Sequence, residues 1–213
     1  MGQRAARSFK KMQSLTLKLP PVRGQYRENV ELARVNWFNI GGPAEVVFKP
    51  ADIEDLSHFL KEKPDNIAVT VIGVGSNLLV RDGGIAGVVI RLGKGFVETL
   101  ADGEEIIVGT GVLDANVAAF AAEKNIAGCE FLSGIPGTIG GALAMNAGAY
   151  GSDMSEILIE AEAVDGQGGK HRIPGEKMGF SYRKNSAPQD WIFTRARLRG
   201  KFGDGKKILG KMA

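Results

Sequence analysis

The sequence predicts an α+β fold in two units, the second of them rich in short strands. Three observations carry that prediction. Apolar runs are short, β-branched and bounded by turn residues, as in Ile67–Ile72, Gly87–Leu92 and Glu104–Val108. Two segments carry helical spacing instead, one after Asp52 and one after Asp114. The chain has 30 glycines among 213 residues, about twice the roughly 7% of average usage, gathered in loops and without a collagen period. With 44% hydrophobic and 24% charged residues, there is material for one large domain or two small ones.

Residues 1–30 read as a basic, partly mobile lead-in that ends in Leu19-Pro20-Pro21-Val22-Arg23-Gly24. Residues 31–72 read as a first α/β lobe. Its strand is Ala44–Lys49, and Asp52 caps a helix with Ile53, Leu56, Phe59 and Leu60 on one face. Ile67–Ile72 is its second strand. Residues 73–200 read as a strand-rich second lobe, with strands at Leu78–Val80, Gly87–Leu92, Phe96–Leu100 and Glu104–Val108. Asp102-Gly103 makes a hairpin turn between the last two. Asp114 is expected to cap a helix through Asn125 that buries Val117, Phe120 and Ala121, with Gly128 as its stop. Ile157–Val164 and Trp191–Leu198 are strands, with a turn at Gln167-Gly168-Gly169. Residues 201–213 form a tail.

Composition excludes several classes. The net charge is +3 and the pI about 9.0, but the excess basic residues, such as Arg4, Arg7, Lys10, Lys11, Lys206 and Lys207, sit at the two ends. That is the pattern of solvated termini, so no nucleic-acid partner is expected. No apolar run approaches the ~20 residues of a membrane span. The amino terminus has no signal-peptide core, and Ala6 stands where myristoylation needs Ser or Thr. The lone cysteine, Cys129, rules out an internal disulfide and fits a reducing compartment, so a cytoplasmic protein is expected. No Cys/His/Asp cluster has metal-ligand spacing. His58 and His171 read as solvated.

The chemistry lies in two glycine loops. In the first, Gly73-Val74-Gly75-Ser76-Asn77-Leu78, closely spaced glycines beside Ser and Asn can line several main-chain N–H groups around one concavity, which suits an anion and above all a phosphate. The second runs Gly134-Ile135-Pro136-Gly137-Thr138-Ile139-Gly140-Gly141-Ala142 and continues through Asn146-Ala147-Gly148-Ala149-Tyr150-Gly151. Glycine and alanine alternate there, as a main chain passing close to a large planar ligand requires. Two familiar phosphate motifs fail. A dinucleotide fingerprint needs a third glycine where Leu78 stands, and a P-loop needs Gly-Lys-Ser/Thr, which neither loop contains. The loops point to a nucleotide-cofactor domain without naming the cofactor. The competing reading is that both are only tight connections.

Four ordered motifs resemble a known family. Val74–Val80 with Asp82-Gly83-Gly84 is similar to the first flavin loop of the UDP-N-acetylenolpyruvoylglucosamine reductases, and Gly134–Gly141 with Asn146–Gly151 to the second. Phe180-Ser181-Tyr182-Arg183-Lys184-Asn185-Ser186 resembles the family's Tyr-Arg signature, and Asn36–Ala44 its entry motif. The resemblance covers Leu19 to Gly200. It implies an α+β, two-lobed FAD-binding fold of the vanillyl-alcohol oxidase-like type, lacking the C-terminal substrate domain.

It also implies FAD as cofactor, NADPH as hydride donor and a UDP-sugar as substrate. The cofactor would be held by Gly73, Val74, Gly75, Ser76, Asn77, Leu78, Gly134, Ile135, Pro136, Gly137, Thr138, Gly140, Gly141, Asn146, Gly148 and Ala149. Arg183 would be the catalytic cation and Tyr182 a substrate contact, although a tyrosine packed on a strand edge is the alternative for Tyr182. Some relatives of this fold bond the flavin through His or Cys in the first loop. Ser76 and Asn77 stand there instead, which implies noncovalent FAD.

The chain departs from the family in two places. Asn36 stands where many members have Thr, close to the expected flavin ring. The serine proton donor and its assisting glutamate match no motif in this sequence, so the chain alone is expected to bind FAD without turning over. Apolar surface that a further domain would cover is expected to stay exposed, at roughly 25 cal/mol per Å². The alternatives are another flavin oxidoreductase of the same fold and a non-catalytic nucleotide-binding module. The sequence carries no reading of oligomeric state.

Overall fold

The computed structural model describes residues 14–212; the basic residues Arg4 to Lys11 lie outside that range. The elements in order are β1 (Gln25–Glu31), β2 (Pro43–Lys49), α1 (Ile53–Glu62), β3 (Val69–Val71), β4 (Ile85–Ile90), β5 (Thr99–Asp102), β6 (Glu105–Gly109), α2 (Asp114–Glu123) and β7 (Ile126–Ala127). They continue with α3 (Ile139–Met145), β8 (Gly148–Ala149), β9 (Ser152–Asp153), α4 (Met154–Ile157), β10 (Leu158–Val164), β11 (Lys170–Pro174), β12 (Ile192–Arg199), β13 (Lys201–Phe202) and α5 (Gly205–Leu209).

The first lobe is a four-stranded sheet in the order β1-β2-β4-β3. β1 runs antiparallel to β2, whereas β2 and β3 both run parallel to β4. The change of sheet therefore comes after Ile90, later in the chain than the sequence boundary at Gly73. β4 belongs here because Val88 and Ile90 enter the same apolar cluster as Val46, Phe48 and α1. Leu78–Val80, expected as a strand, pairs with no strand among the described residues; Val80 instead packs in a small cluster with Leu32 and Val47.

α1 forms as anticipated. Asp52 Oδ1 accepts the N–H of Asp55 at 3.0 Å, and Leu56, Phe59 and Leu60 are buried against the sheet. The Phe48 and Phe59 rings lie 4.6 Å apart, with Tyr26 5.1 Å from Phe48. Such pairs add about 0.5–1.5 kcal/mol each beyond their buried area. Asp55 is buried too, and its carboxylate accepts N–H groups from Arg23 (2.7 Å), Gly24 (2.8 Å) and Ala51 (2.9 Å). It thereby ties the lead-in to the helix.

The second lobe is an antiparallel sheet ordered β11-β10-β12-β6-β5. The expected Asp102-Gly103 hairpin joins β5 to β6, with Asp102 opposite Glu105 and Gly103 at φ +61°. β12 alternates cleanly: Ala196 and Leu198 face the core, and Arg195 and Arg197 face out to pair with Glu98, Asp102 and Glu105. α2 and α3 cover the inner face through Val117, Ala118, Ala121, Ile139, Ala142 and Leu143. The many alanines let helix and sheet backbones approach closely.

Two expectations for α2 change. Asp114 is the first helical residue rather than the cap; Leu113 holds the cap position, with no side-chain bond. The helix ends at Glu123, where Asn125 turns left-handed at φ +56°, ahead of Gly128. The lobes share packing. Val164 and Ile192 of the second sheet belong to the first lobe's cluster, and Ser57 Oγ donates to Gly168 O at 2.5 Å. Among the described residues no helix is long and apolar enough to cross a membrane.

Candidate flavin site

The two glycine loops meet across one cleft. A Cβ on Gly73 would lie 2.7 Å from Thr138 Oγ1, and one on Gly137 would lie 4.0 Å from Ser76 Oγ. Each loop is fixed from behind. The first is braced by the β1–β2 connection: Trp37 N–H donates to Gly75 O at 3.2 Å, and Gly75, at φ +71°, leaves only 2.8 Å for a Cβ against Asn36. Asn36 is buried, and its Nδ2 donates to Leu32 O and Ile40 O, both at 2.8 Å. Its Nδ2 thus holds the connection beneath the first loop, while its Oδ1 is buried without a partner among the described residues.

The second loop is pinned to the entry of α2. Asp114 N–H donates to Gly137 O (3.1 Å), and Ile139 N–H donates to Val112 O (3.0 Å). Gly140 N–H donates to Thr110 O at 2.9 Å, and Thr110 is itself buried, its hydroxyl donating to Phe193 O at 2.7 Å.

The expected site residues divide between two adjoining cavities. One, of about 610 Å³, is walled by Ser76, Asn77, Ile135, Pro136, Gly137, Gly141, Asn146, Gly148 and Ala149, with Tyr182 and Arg183 at its rim. The other, of about 400 Å³, is walled by Gly73, Val74, Thr138 and Gly140, together with Arg91, Thr110 and Trp191. Gly141 lines both, and a Cβ there would meet nothing within 4 Å, so only hydrogen separates the main chain from the open cleft. Gly75, Leu78 and Gly134 line neither cavity. Gly75 sits on Asn36, Leu78 packs on the small cluster, and Gly134 faces the Tyr150 ring.

The Asn146 side chain is used internally. Its Nδ2 donates to Asp153 Oδ2 and its Oδ1 accepts from Ser155 N–H, both at 3.0 Å. Asn77 Nδ2 donates to Met145 Sδ at 3.3 Å and so links the first loop to α3.

Tyr182 and Arg183 occupy a tight turn closed by Ser181 N–H to Lys184 O (3.0 Å) and Lys184 N–H to Ser181 O (3.1 Å). Tyr182 is 86% exposed, which removes the packed-tyrosine alternative. Arg183 has φ +56°, and its guanidinium lies 5.6 Å from the Tyr182 ring with no carboxylate partner among the described residues. His171 is paired with Asp165 (2.6 Å) and stacked on Trp191 at 4.1 Å, a fixed structural position rather than a free solvated one. Cys129 has no exposed surface, and burial pushes its thiol up to about 12.

Sequence reasoning missed Asp114. It lines the larger cavity, has no exposed surface, and neither carboxyl oxygen has a partner among the described residues. Burial pushes its carboxyl up to about 7. An acidic residue opening a helix reads as a cap, which is why the signal was absorbed by a local explanation.

The residues present fit a flavin dinucleotide. Among the described residues, the main-chain N–H groups of Val74, Gly75, Ser76 and Asn77 and those of Gly137 and Thr138 have no protein acceptor. Both loops thus carry unpaired main-chain donors of the kind an anion accepts from, beside a groove whose floor at Gly141 carries no side chain. That arrangement defines a flavin-nucleotide domain, and residues 44–173 match the FAD binding domain family, to which this chain belongs.

The finer likeness is to UDP-N-acetylenolpyruvoylglucosamine reductases. The Rhodospirillum rubrum enzyme is 53% identical over 92% of this chain, and that of Azorhizobium caulinodans is 50% identical over 93%. The chain spans 61% and 65% of those relatives' lengths. The crystal structure of the Thermus caldophilus reductase superposes with a TM-score of 0.76 at 34% identity, covering 89% of this chain and 66% of that one. A 6-hydroxy-D-nicotine oxidase from Arthrobacter nicotinovorans, 16% identical with a TM-score of 0.65, covers 85% of this chain and is 43% covered in return; it shares the fold. The two-lobed α+β FAD-binding fold and the FAD cofactor expected from the sequence are thereby established.

Proposed function

We propose that this chain is the flavin-holding part of a reductase that converts UDP-N-acetylglucosamine enolpyruvate to UDP-N-acetylmuramate, with NADPH as hydride donor, in peptidoglycan synthesis. The observation that carries the reading is the meeting of two glycine loops across a cleft lined by Arg183, with the N–H groups of Val74–Asn77, Gly137 and Thr138 left without an acceptor among the described residues. The main-chain donors of Val74–Asn77, Gly137 and Thr138 would hold the diphosphate, and Gly141 would let the ring system lie against bare backbone.

Bound FAD supplies hydride transfer. The protein's task is then to orient the enolpyruvyl group and stabilise the negative charge that develops on its carboxylate-bearing side. Arg183 suits that task because its planar fork can take a carboxylate in two bonds and, among the described residues, it forms no ion pair, its guanidinium lying by the Tyr182 ring. Tyr182, projecting beside it, would contact the substrate. The flavin would be noncovalent, since Ser76 and Asn77 replace any bonding His or Cys and Cys129 is sealed in the core. A reducing, cytoplasmic setting fits that cysteine. The proton donor would come from the portion of the relatives' length that these residues do not span.

Purified protein is expected to be yellow, with a flavin spectrum that leaves the chain on denaturation. NADPH consumption with the enolpyruvyl substrate should be very low for the chain alone and should appear when the remaining third of a relative is supplied. Colourless protein that refuses added FAD would end the reading. Turnover with a different hydride acceptor would redirect it to another flavin oxidoreductase.

A further inference from the structure

Asp114 is the buried titratable group to which the proposed chemistry gives no task. Its carboxyl lies directly behind the second loop, Oδ2 being 2.8 Å from where a Cβ on Gly137 would stand. Among the described residues neither carboxyl oxygen has a hydrogen-bond partner, yet Asp114 forms part of the wall of the cavity that Ser76 and Gly137 also line.

Among the described residues no cation is bonded to its carboxyl. The first loop contributes Ser76 and Asn77, the second Ile135 to Thr138, and α3 carries no charged residue. The β8–β9 hairpin contributes another carboxylate, Asp153, while Glu123 and Lys124 lie at the far end of α2. Among the described residues Arg183 is the one cation lining this cavity, out on the rim beside Tyr182.

We propose that Asp114 is a proton-linked positioning residue for the cofactor: as a neutral acid it backs the second glycine loop and admits a diphosphate, and as a carboxylate it repels one. The inference rests on the reading that the two loops hold the FAD diphosphate. A carboxylate and a diphosphate on opposite sides of one glycine backbone, with little water between them, repel strongly; a neutral acid does not. Burial already brings Asp114 to about 7 in the absence of ligand, so its charge changes where binding can be measured. Above that point FAD can bind only as a proton is taken up.

The test is FAD binding to the full chain at about pH 6 and about pH 8.5. Affinity is followed by flavin fluorescence, and proton uptake by calorimetry in buffers of different ionisation heat. Wild type is compared with Asp114→Asn and Asp114→Ser. Wild-type affinity should fall about tenfold or more at the higher pH, with close to one proton taken up, while both variants hold within about twofold. An infrared difference spectrum at the higher pH should show one carboxylate converted to a neutral acid when FAD is added. That measurement needs only wild type and decides the matter even if neither variant folds.

FAD bound equally well at both pH values, an equal fall in the variants, or no carboxylate converted overturns the inference while leaving the flavin reading intact. No FAD binding at either pH overturns both.

Discussion

Each of the two ten-residue helices buries an aspartate in its first turn, and the surroundings treat the two in opposite ways. Asp55 in α1 receives three main-chain N–H groups from the chain that wraps over it, so its charge is met by donors and its role is to hold structure. Asp114 in α2 receives none, although it is buried at least as deeply. A fold that can satisfy one buried carboxylate three times over has no difficulty finding donors. The unsatisfied one stands where two glycine loops leave a cleft, and stability has been conceded there to a binding surface.

The comparison breaks most visibly at Asp55. Asp55→Ala strands three donors at the junction of lead-in and helix, and should cost about 3 kcal/mol or more in urea unfolding. Asp114→Asn should do the reverse in a pH-dependent way. The wild-type carboxyl titrates near 7 when folded and near its ordinary 3.8 when unfolded. Between those values the folded chain binds the extra proton, so wild-type stability falls as pH rises through that window and levels off above it. The variant's stability relative to wild type should therefore climb from about pH 4 to about pH 7, by up to a few kcal/mol. Parallel denaturation curves for the two proteins at every pH would show that Asp114 is solvated or paired after all.

Gly137→Ala sharpens the contrast by setting a methyl carbon 2.8 Å from Asp114 Oδ2. We expect a loss of about 1–3 kcal/mol in stability and a larger proportional loss of FAD affinity. In an Asp114→Ala background the stability cost should shrink, by about 0.5–3 kcal/mol of coupling. The smallest effect comes from Gly141→Ala. The new methyl group meets no protein atom, and replacing a glycine inside α3 should raise stability by up to about 1 kcal/mol. FAD affinity should nonetheless fall, because the methyl group enters the cleft. A more stable variant with unchanged FAD affinity would show that the flavin does not lie over Gly141.

What was legible in the sequence was what local chemistry decides. The Asp52 cap, the apolar face of α1, the Asp102-Gly103 hairpin and the core strands β10 and β12 follow from residues within a few positions of one another. The two glycine loops were legible as the segments that come together at one cleft. What was not legible depended on partners far along the chain. β4 joins the first sheet because β2 and β3 both pair with it, and no pattern within Ile85–Ile90 records that choice. Leu78–Val80 has the composition of a strand but no neighbour to pair with. Asp114 is drawn out of the cap position by the bond from its N–H to Gly137 O, which only the folded loop supplies. The internal bonds of Asn36 Nδ2 and of the Asn146 amide also depend on the folded chain, although Asn36 Oδ1 has no partner among the described residues.

Val164 and Ile192 reach from one sheet into the other lobe's packing, and that junction sets how the cleft can behave. Close-packed side chains do not flex like a hinge, so the gap between the loops is a slot of set width, cut before any ligand arrives. Under the proposed function, selection would work by thickness, admitting a flat ring system and a slender phosphate bridge. Tyr182 and Arg183, both exposed and both lining the larger cavity, would then stand beside substrate and coenzyme alike.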